Sequence, residues 1–258
     1  MTGASSGPVR VLHITDPHLF AVADGNLRGT VTHSTLAAVL NHYRNSGWNA
    51  DIIAMTGDVI QDDTAEAYER FRQHMTPLGL PVYCVPGNHD IRPLMQQALT
   101  PPPFHYCASV EIGNWLLTGV DSCLEGDAAG HISDEEMDRL AQTLSGTSAQ
   151  HIAICLHHPP VAVGSQWLDQ VGLRNSAEFL DLISSSGKVR TTLSGHVHQE
   201  CSAECNGIEI IGTPSTCRQF KPGSNEFALD DKPPAYRRVN LHTDGRVNSE
   251  LVWIASNP

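Results

Sequence analysis

Five polar clusters, Asp16-Pro-His18, Gly57-Asp58, Gly87-Asn88-His89-Asp90, His157-His158-Pro-Pro160 and Gly195-His196-Val-His198, each follow a run of apolar residues. Their side chains offer carboxylate, imidazole and amide oxygen, with no thiolate among them, a set suited to hard-to-borderline divalent cations. If the apolar runs are strands, the members of Asp16-x-His18 and of His196-x-His198 are alternate residues of extended segments, so each pair can face one site. The glycines at 57, 87 and 195 permit tight turns or close packing of backbone at the cluster. One such match carries little weight, because Asp-x-His arises by chance and Gly-Asp is common in turns. Five in order, each at a strand end, are far more specific.

The surrounding pattern supplies those strands. Val9–Thr15, Asp51–Thr56 and Pro81–Val85 are brief and lack polar alternation, as strands covered on both faces do. Thr32–Asn45 and Thr64–Met75 read as helices, so the chain opens β-α-β-α-β, which implies parallel pairing through right-handed crossovers. After Pro93–Leu99 and the breaker Pro101-Pro102-Pro103, Tyr106–Ile112 with Trp115–Asp121 reads as a hairpin turned at Gly113-Asn114. Ser133-Asp-Glu-Glu136 is a capping box opening a helix to about Leu144, and Asn175, with Glu178 three residues on, caps another to Ser185. His151–Leu156, Val189–Leu193, Ile208–Ile211, Tyr236–Leu241 and Val247–Ile254 complete the strands, the last two around an Asp-Gly hairpin signal in Thr243-Asp-Gly-Arg246. Open α/β sheets bind ligands at the carboxyl ends of their strands, so five loops far apart in sequence can converge there. Two long loops, Leu19–Val31 and Thr213–Pro234, stand out, and loops of that length are uncommon without a function.

Composition narrows the class. With 40% hydrophobic and 17% charged residues the chain reads as an ordinary globular protein. Its formal charge of -12, from 16 Lys+Arg against 28 Asp+Glu, disfavours binding to a nucleic acid polymer. Phosphate chemistry remains open to it if cations reverse the sign locally. Met1–Pro8 carries no charged start and no apolar run, so no signal peptide is expected, and no stretch approaches the ~20 apolar residues of a membrane span. Seven Cys without CxxC pairs suit a reducing compartment, and Cys84, Cys107 and Cys155 read as small buried hydrophobes. A cytoplasmic location follows as an expectation.

The ordered series of clusters resembles the calcineurin-like metallophosphoesterases across about residues 9 to 213. Within that superfamily, Thr15-Asp-Pro-His-Leu-Phe20, Trp167-Leu-Asp-Gln170 with Leu173-Arg-Asn175, and Thr213-Pro-Ser-Thr-Cys-Arg-Gln-Phe220 are similar to the bacterial class III 3′,5′-cyclic AMP phosphodiesterases. The resemblance implies an α/β fold of four layers, two mixed sheets packed face to face with helices outside. It implies one domain over residues 1–258, with an extension from about 213 completing the fold. It also implies two metal ions, iron or manganese. Asp16, His18 and His198 would hold the first metal and Asn88, His157 and His196 the second, with Asp58 bridging both. His157 and His158 compete for one ligand position, and the family pattern puts the ligand first, at His157.

By the same resemblance His89 stands beside the phosphate as the catalytic residue, with His18, Asp58, Asn88, His89 and His198 contacting substrate. The expected reaction is hydrolysis of cyclic AMP to 5′-AMP, in which a hydroxide bridging the two metals attacks phosphorus in line. Asp90 would orient His89. Two rival readings use the same residues: a phosphodiesterase of broader range, acting on glycerophosphodiesters or 2′,3′-cyclic nucleotides, and a non-catalytic scaffold of the same fold. Trp167 and Phe220 either stack on an adenine or simply pack, and Arg174 and Arg218 either reach phosphate or a neighbouring loop. Metal identity and oligomeric state are not encoded in these motifs.

Overall fold

A computed structural model describes residues 7–254; Met1–Ser6, within the polar N-terminal stretch, lie outside the described residues, as do 255–258. Two six-stranded mixed sheets carry the fold. In the first, Val9–Ile14 pairs in parallel with Ile52–Met55, which continues through Val82–Cys84 to Phe104–Tyr106, also in parallel. On its other side Val9–Ile14 meets Ala235–Leu241 and then Val247–Trp253, both antiparallel. In the second sheet Trp115–Gly119, His151–Cys155, Val189–Ser194 and Ile208–Gly212 run parallel, edged by antiparallel Ser109–Ile112 and Cys201–Cys205.

Side chains alternate across each strand, and the alternation builds the layers. Leu12, Ile14, Ile53, Met55, Val82 and Cys84 point from the first sheet into a core shared with Leu36, Val39, Tyr68, Phe71 and Met95, on the helices Thr32–Asn45, Ala65–Met75 and Arg92–Leu99. Their neighbours Val11, Ile52, Ala54, Tyr83 and Val85 point the other way, against Leu117, Ala153, Cys155, Leu193 and Ile211 of the second sheet. Ile152 and Ile154 then face outward onto Leu140, Phe179 and Ile183, from the helices Asp134–Gly146 and Ser176–Ser185. Helix, sheet, sheet and helix therefore stack in four layers. Each fully buried Leu, Ile or Phe contributes about 1.5–3 kcal/mol to holding them together.

Thr64 caps its helix by accepting from the Ala67 N–H, and Ser133 does the same for Glu136. The second half of the expected capping box is missing: the Glu136 carboxylate turns to Arg139 and to the Asp121 N–H instead. Asn175 caps nothing with its side chain, because its amide is spent on both backbone groups of Ile132. The stretch read as one strand from Tyr106 to Ile112 is two, Phe104–Tyr106 in the first sheet and Ser109–Ile112 in the second. Cys107, at φ 43°, turns the chain between the sheets. Among the described residues no helix is long and apolar enough to cross a membrane, and all seven cysteines are free.

Candidate metal centre

All five clusters lie just past the carboxyl ends of parallel strands, with the seven candidate ligands two to four residues beyond Ile14, Met55, Cys84, Cys155 and Ser194. Backbone bonds stitch them into one floor: Asp16 N–H donates to the Gly57 carbonyl, His18 N–H to Asp58, and Gly195 N–H to His157. The sheets are joined there when the His196 N–H donates to both oxygens of the Asp16 carboxylate, at 3.2 and 3.1 Å.

Asp16-x-His18 and His196-x-His198 are not extended. Asp16, His18, Asp58, His196 and His198 have φ of 52°, 46°, 52°, 69° and 47°, the left-handed region. Such a conformation costs a non-glycine residue about 1–3 kcal/mol and persists where the surroundings over-determine it. A Cβ on Gly195 would stand 1.9 Å from Thr15 Oγ1 and 2.5 Å from Asp16 Oδ2, and one on Gly87 2.2 Å from Asp58 Oδ1. Both glycines are therefore required by close approach, as is Gly57, whose Cβ would meet His157 Nδ1 at 2.5 Å.

The seven predicted ligands converge. Asp58 Oδ2 lies 3.7 Å from His18 Nε2 and 3.4 Å from His157 Nε2, so one carboxylate oxygen faces both halves of the site. On one side His198 Nε2 is 3.3 Å from Asp16 Oδ1 and 3.1 Å from His18 Nε2. On the other, Asn88 Oδ1 is 3.1 Å from His157 Nε2 and 3.0 Å from His196 Nδ1. His196 and His198 thus belong to different halves.

The donor set fits cations. His157 Nδ1, His196 Nε2 and His198 Nδ1 each lie against a backbone carbonyl, of Thr56 at 2.7 Å, Val171 at 3.0 Å and Arg218 at 2.6 Å. A carbonyl accepts only from a protonated nitrogen, so the opposite nitrogens of the neutral His196 and His198 rings turn lone pairs inward. The opposite nitrogen of His157 faces the Asp58 carboxylate, which favours a proton or a cation there. Lone pairs facing one another and the Asn88 oxygen at about 3 Å repel unless a cation lies between them. Asp16, His18, Asp58 and His198 form one group whose ligand atoms lie within 4.8 Å of one another, and His157, His158 and His196 another. His158 is the odd member. Its Nδ1 meets Ser122 Oγ at 2.9 Å and its Nε2 the Ala128 carbonyl at 3.2 Å, which leaves no nitrogen for a metal.

Burial holds His18 and His196 down at about 3, and so neutral. Burial opposes a charge on His157 too, but the Asp58 carboxylate outweighs it and raises that ring to about 9. For Asp16 and Asp58 burial works upward; the neighbouring imidazoles, His198 and His157 respectively, overcome it and hold both carboxyls below the usual range.

His89 is exposed at the rim, its ring 5.0 Å from that of His18 and its Nδ1 3.4 Å from the Gln61 amide nitrogen. Its backbone N–H donates to Asp58 Oδ1 at 2.8 Å. Asp90 does not orient it. The Asp90 carboxylate faces the opposite way, accepting from the Gly87 and Val59 N–H groups and from the Tyr68 hydroxyl, and so pins the turn that carries Asn88. Burial, then the Asp58 charge, lift Asp90 to about 7 against those donors.

A cavity of 280 Å³ opens beside the cluster, walled by Arg28, Trp167, Arg218, Phe220 and Phe227 as well as by His18, Asn88 and His198. Of the arginines left open by the sequence, Arg218 lines it and Arg174 pairs with Asp127 instead. Sequence reasoning also missed Thr15, whose hydroxyl donates to Asp16 Oδ2 at 2.6 Å, and Ser215, whose hydroxyl donates to the Asp16 carbonyl at 2.7 Å.

Residues 9–200 match the calcineurin-like phosphoesterase family. The chain belongs to that family. It is 37% identical over 244 residues to the 3′,5′-cyclic adenosine monophosphate phosphodiesterase CpdA of Haemophilus influenzae, covering 94% of this chain and 89% of the relative. It is 36% identical over 250 residues to the CpdA of Pseudomonas aeruginosa, covering 97% and 92%. A dimetal phosphatase from Danio rerio shares the fold, with a TM-score of 0.67 at 16% identity over 96% of this chain and all of that one. Family membership implies a pair of divalent cations, and the donor set described above suits them.

Proposed function

We propose that this chain hydrolyses 3′,5′-cyclic AMP to 5′-AMP on two divalent cations, iron or manganese, within a single domain in the cytoplasm. One observation carries the reading: seven oxygen- and nitrogen-bearing side chains from five strand ends meet around Asp58 Oδ2 in a chain 36% to 37% identical to cyclic AMP phosphodiesterases. Asp16, His18 and His198 hold one cation, Asn88, His157 and His196 the other, and Asp58 both. When bound, such a pair activates water and neutralises the phosphoryl oxygens.

The remaining work falls to the protein. Carbonyls of Thr56, Val171 and Arg218 fix the tautomer and orientation of three imidazoles, which presents unprotonated nitrogens to the site. His18, Asp58, Asn88, His89 and His198 border the cavity where the phosphate sits. Water gives one proton to solvent as it adds to phosphorus, the bond to the ribose 3′ oxygen breaks, and His89 protonates that oxygen and regains its proton from solvent, which opens the ring to the 5′-monophosphate. The exposed position of His89 at the rim, with its imidazole outside the ligand set, supports this role.

Purified protein loaded with manganese or iron, assayed on 3′,5′-cyclic AMP, 2′,3′-cyclic AMP and a glycerophosphodiester, tests the reading. Fastest turnover of the first supports it. Turnover of the others without 3′,5′-cyclic AMP replaces it with the broader phosphodiesterase, and fewer than two equivalents of metal revives the scaffold.

A further inference from the structure

Beside the ligand cluster, three aromatic rings from two parts of the chain pack edge to face. Trp167 stands 5.0 Å from Phe220 and 5.3 Å from Phe227, and the two phenylalanines are 5.5 Å apart. Arg28 lays its guanidinium over the Phe227 ring at 4.2 Å, and Phe220 stacks flat on His198, with centroids 4.2 Å apart and planes inclined by 9°. All four line the cavity that holds His18 and Asn88. Both long loops contribute, Arg28 from one and Phe220 and Phe227 from the other.

The group is built, not incidental. Ser165, fully buried two residues before Trp167, lies within hydrogen-bond reach of Gln199 and accepts from the Gly223 N–H. Gln199 in turn donates to the Lys221 carbonyl, so a polar network ties the tryptophan's segment to the loop that carries both phenylalanines. Phe227 is nevertheless 42% exposed, one of two large hydrophobics among the described residues that are, and it lies under Arg28 on the wall of the cavity beside the ligand cluster. An apolar, aromatic wall of this kind suits a ring with π faces.

We infer that Trp167, Phe220, Phe227 and Arg28 form a nucleobase slot that selects nucleotides over phosphodiesters without a base. The inference rests on the proposed nucleotide chemistry of the adjoining site and adds the residues that read the base. A phosphate at the ligand cluster and a base against the wall of Phe220, Phe227 and Trp167 are compatible with one cavity of 280 Å³, near the roughly 300 Å³ at which small-molecule sites begin.

The test compares calorimetric binding of 5′-AMP and of ribose 5-phosphate to the metal-loaded protein and to Trp167→Ala and Phe227→Ala, with metal content measured for each. Base–aromatic stacking predicts that 5′-AMP binds the parent more tightly, and that each replacement removes about five-fold or more of that preference. Phe227→Trp should keep it. Equal affinity of the parent for both ligands, or a preference that both alanine variants retain, overturns the slot. So does a parallel loss of both affinities together with metal, which would make the rings a prop for His198. The slot and the reaction fail separately, since a base preference without cyclic AMP turnover would leave the slot and discard the reaction.

Discussion

The Nε2 atoms of His18 and His198 stand 3.1 Å apart, from residues 180 positions distant in the chain. His198 gives its other nitrogen to the Arg218 carbonyl, so its inward nitrogen is a lone pair. Two ring nitrogens this close either share a proton or flank a cation, and Asp16 Oδ1 at 3.3 Å and Asp58 Oδ2 at 3.7 Å supply the negative charge a cation needs. His198→Ala should therefore bind about one metal equivalent fewer and lose at least about 100-fold in kcat, the scale of removing one preorganised electrostatic group. Metal analysis of the purified variant checks it; two equivalents retained would exclude His198 as a ligand.

His89→Ala separates chemistry from metal binding. The bond to Asp58 Oδ1 comes from the His89 backbone, which alanine preserves. Turnover of cyclic AMP should fall about 100-fold or more, as loss of a general acid predicts, with both metals still bound. A matching loss of metal would make His89 structural.

Gly195→Ala forces a Cβ within 1.9 Å of Thr15 Oγ1 and 2.5 Å of Asp16 Oδ2, where the two sheets meet. Overpacking of this kind costs about 1–3 kcal/mol, a Tm lower by several degrees in thermal denaturation. Gly146→Ala, at a helix end with nothing within 4 Å of the new Cβ, serves as the control and should leave Tm unchanged or slightly raised.

His74 lies on the helix Ala65–Met75, away from the ligand cluster, with its Nε2 2.9 Å from His33 Nδ1. Burial, then the nearby His33, lower it from 6.5 to about 4. The unfolded chain therefore binds the extra proton between pH 4 and 6.5, and stability rises with pH across that window. His74→Gln should flatten this rise in a series of Tm measurements against pH. An unaltered slope would show that His74 does not contribute to it.

Much of the fold was legible because short apolar runs without polar alternation mark strands covered on both faces: Leu12 and Ile14 face the helices, Val11 the other sheet. The candidate ligand positions stood out because each follows such a strand, and the structure brings their side chains together. What the pattern hid has physical causes. Alternation continues through Cys107, so it does not reveal that the chain leaves one sheet there for the other. Cys201–Cys205 is an edge strand with every second residue only partly covered, and its sequence Cys-Ser-Ala-Glu-Cys carries no apolar run. The left-handed backbone at Asp16 and His18 is imposed by tertiary hydrogen bonds, and neither residue type announces it. Trp167, Phe220 and Phe227 are brought together by the bonds of Ser165 and Gln199, which no spacing predicts.

Anomalous diffraction from crystals of the manganese- or iron-loaded protein tests the central claim most directly. The account predicts two peaks roughly 3.5–4 Å apart, one bonded to Asp16, His18 and His198, the other to Asn88, His157 and His196, with Asp58 reaching both. A single peak, or peaks bonded to other residues such as His158, would contradict it.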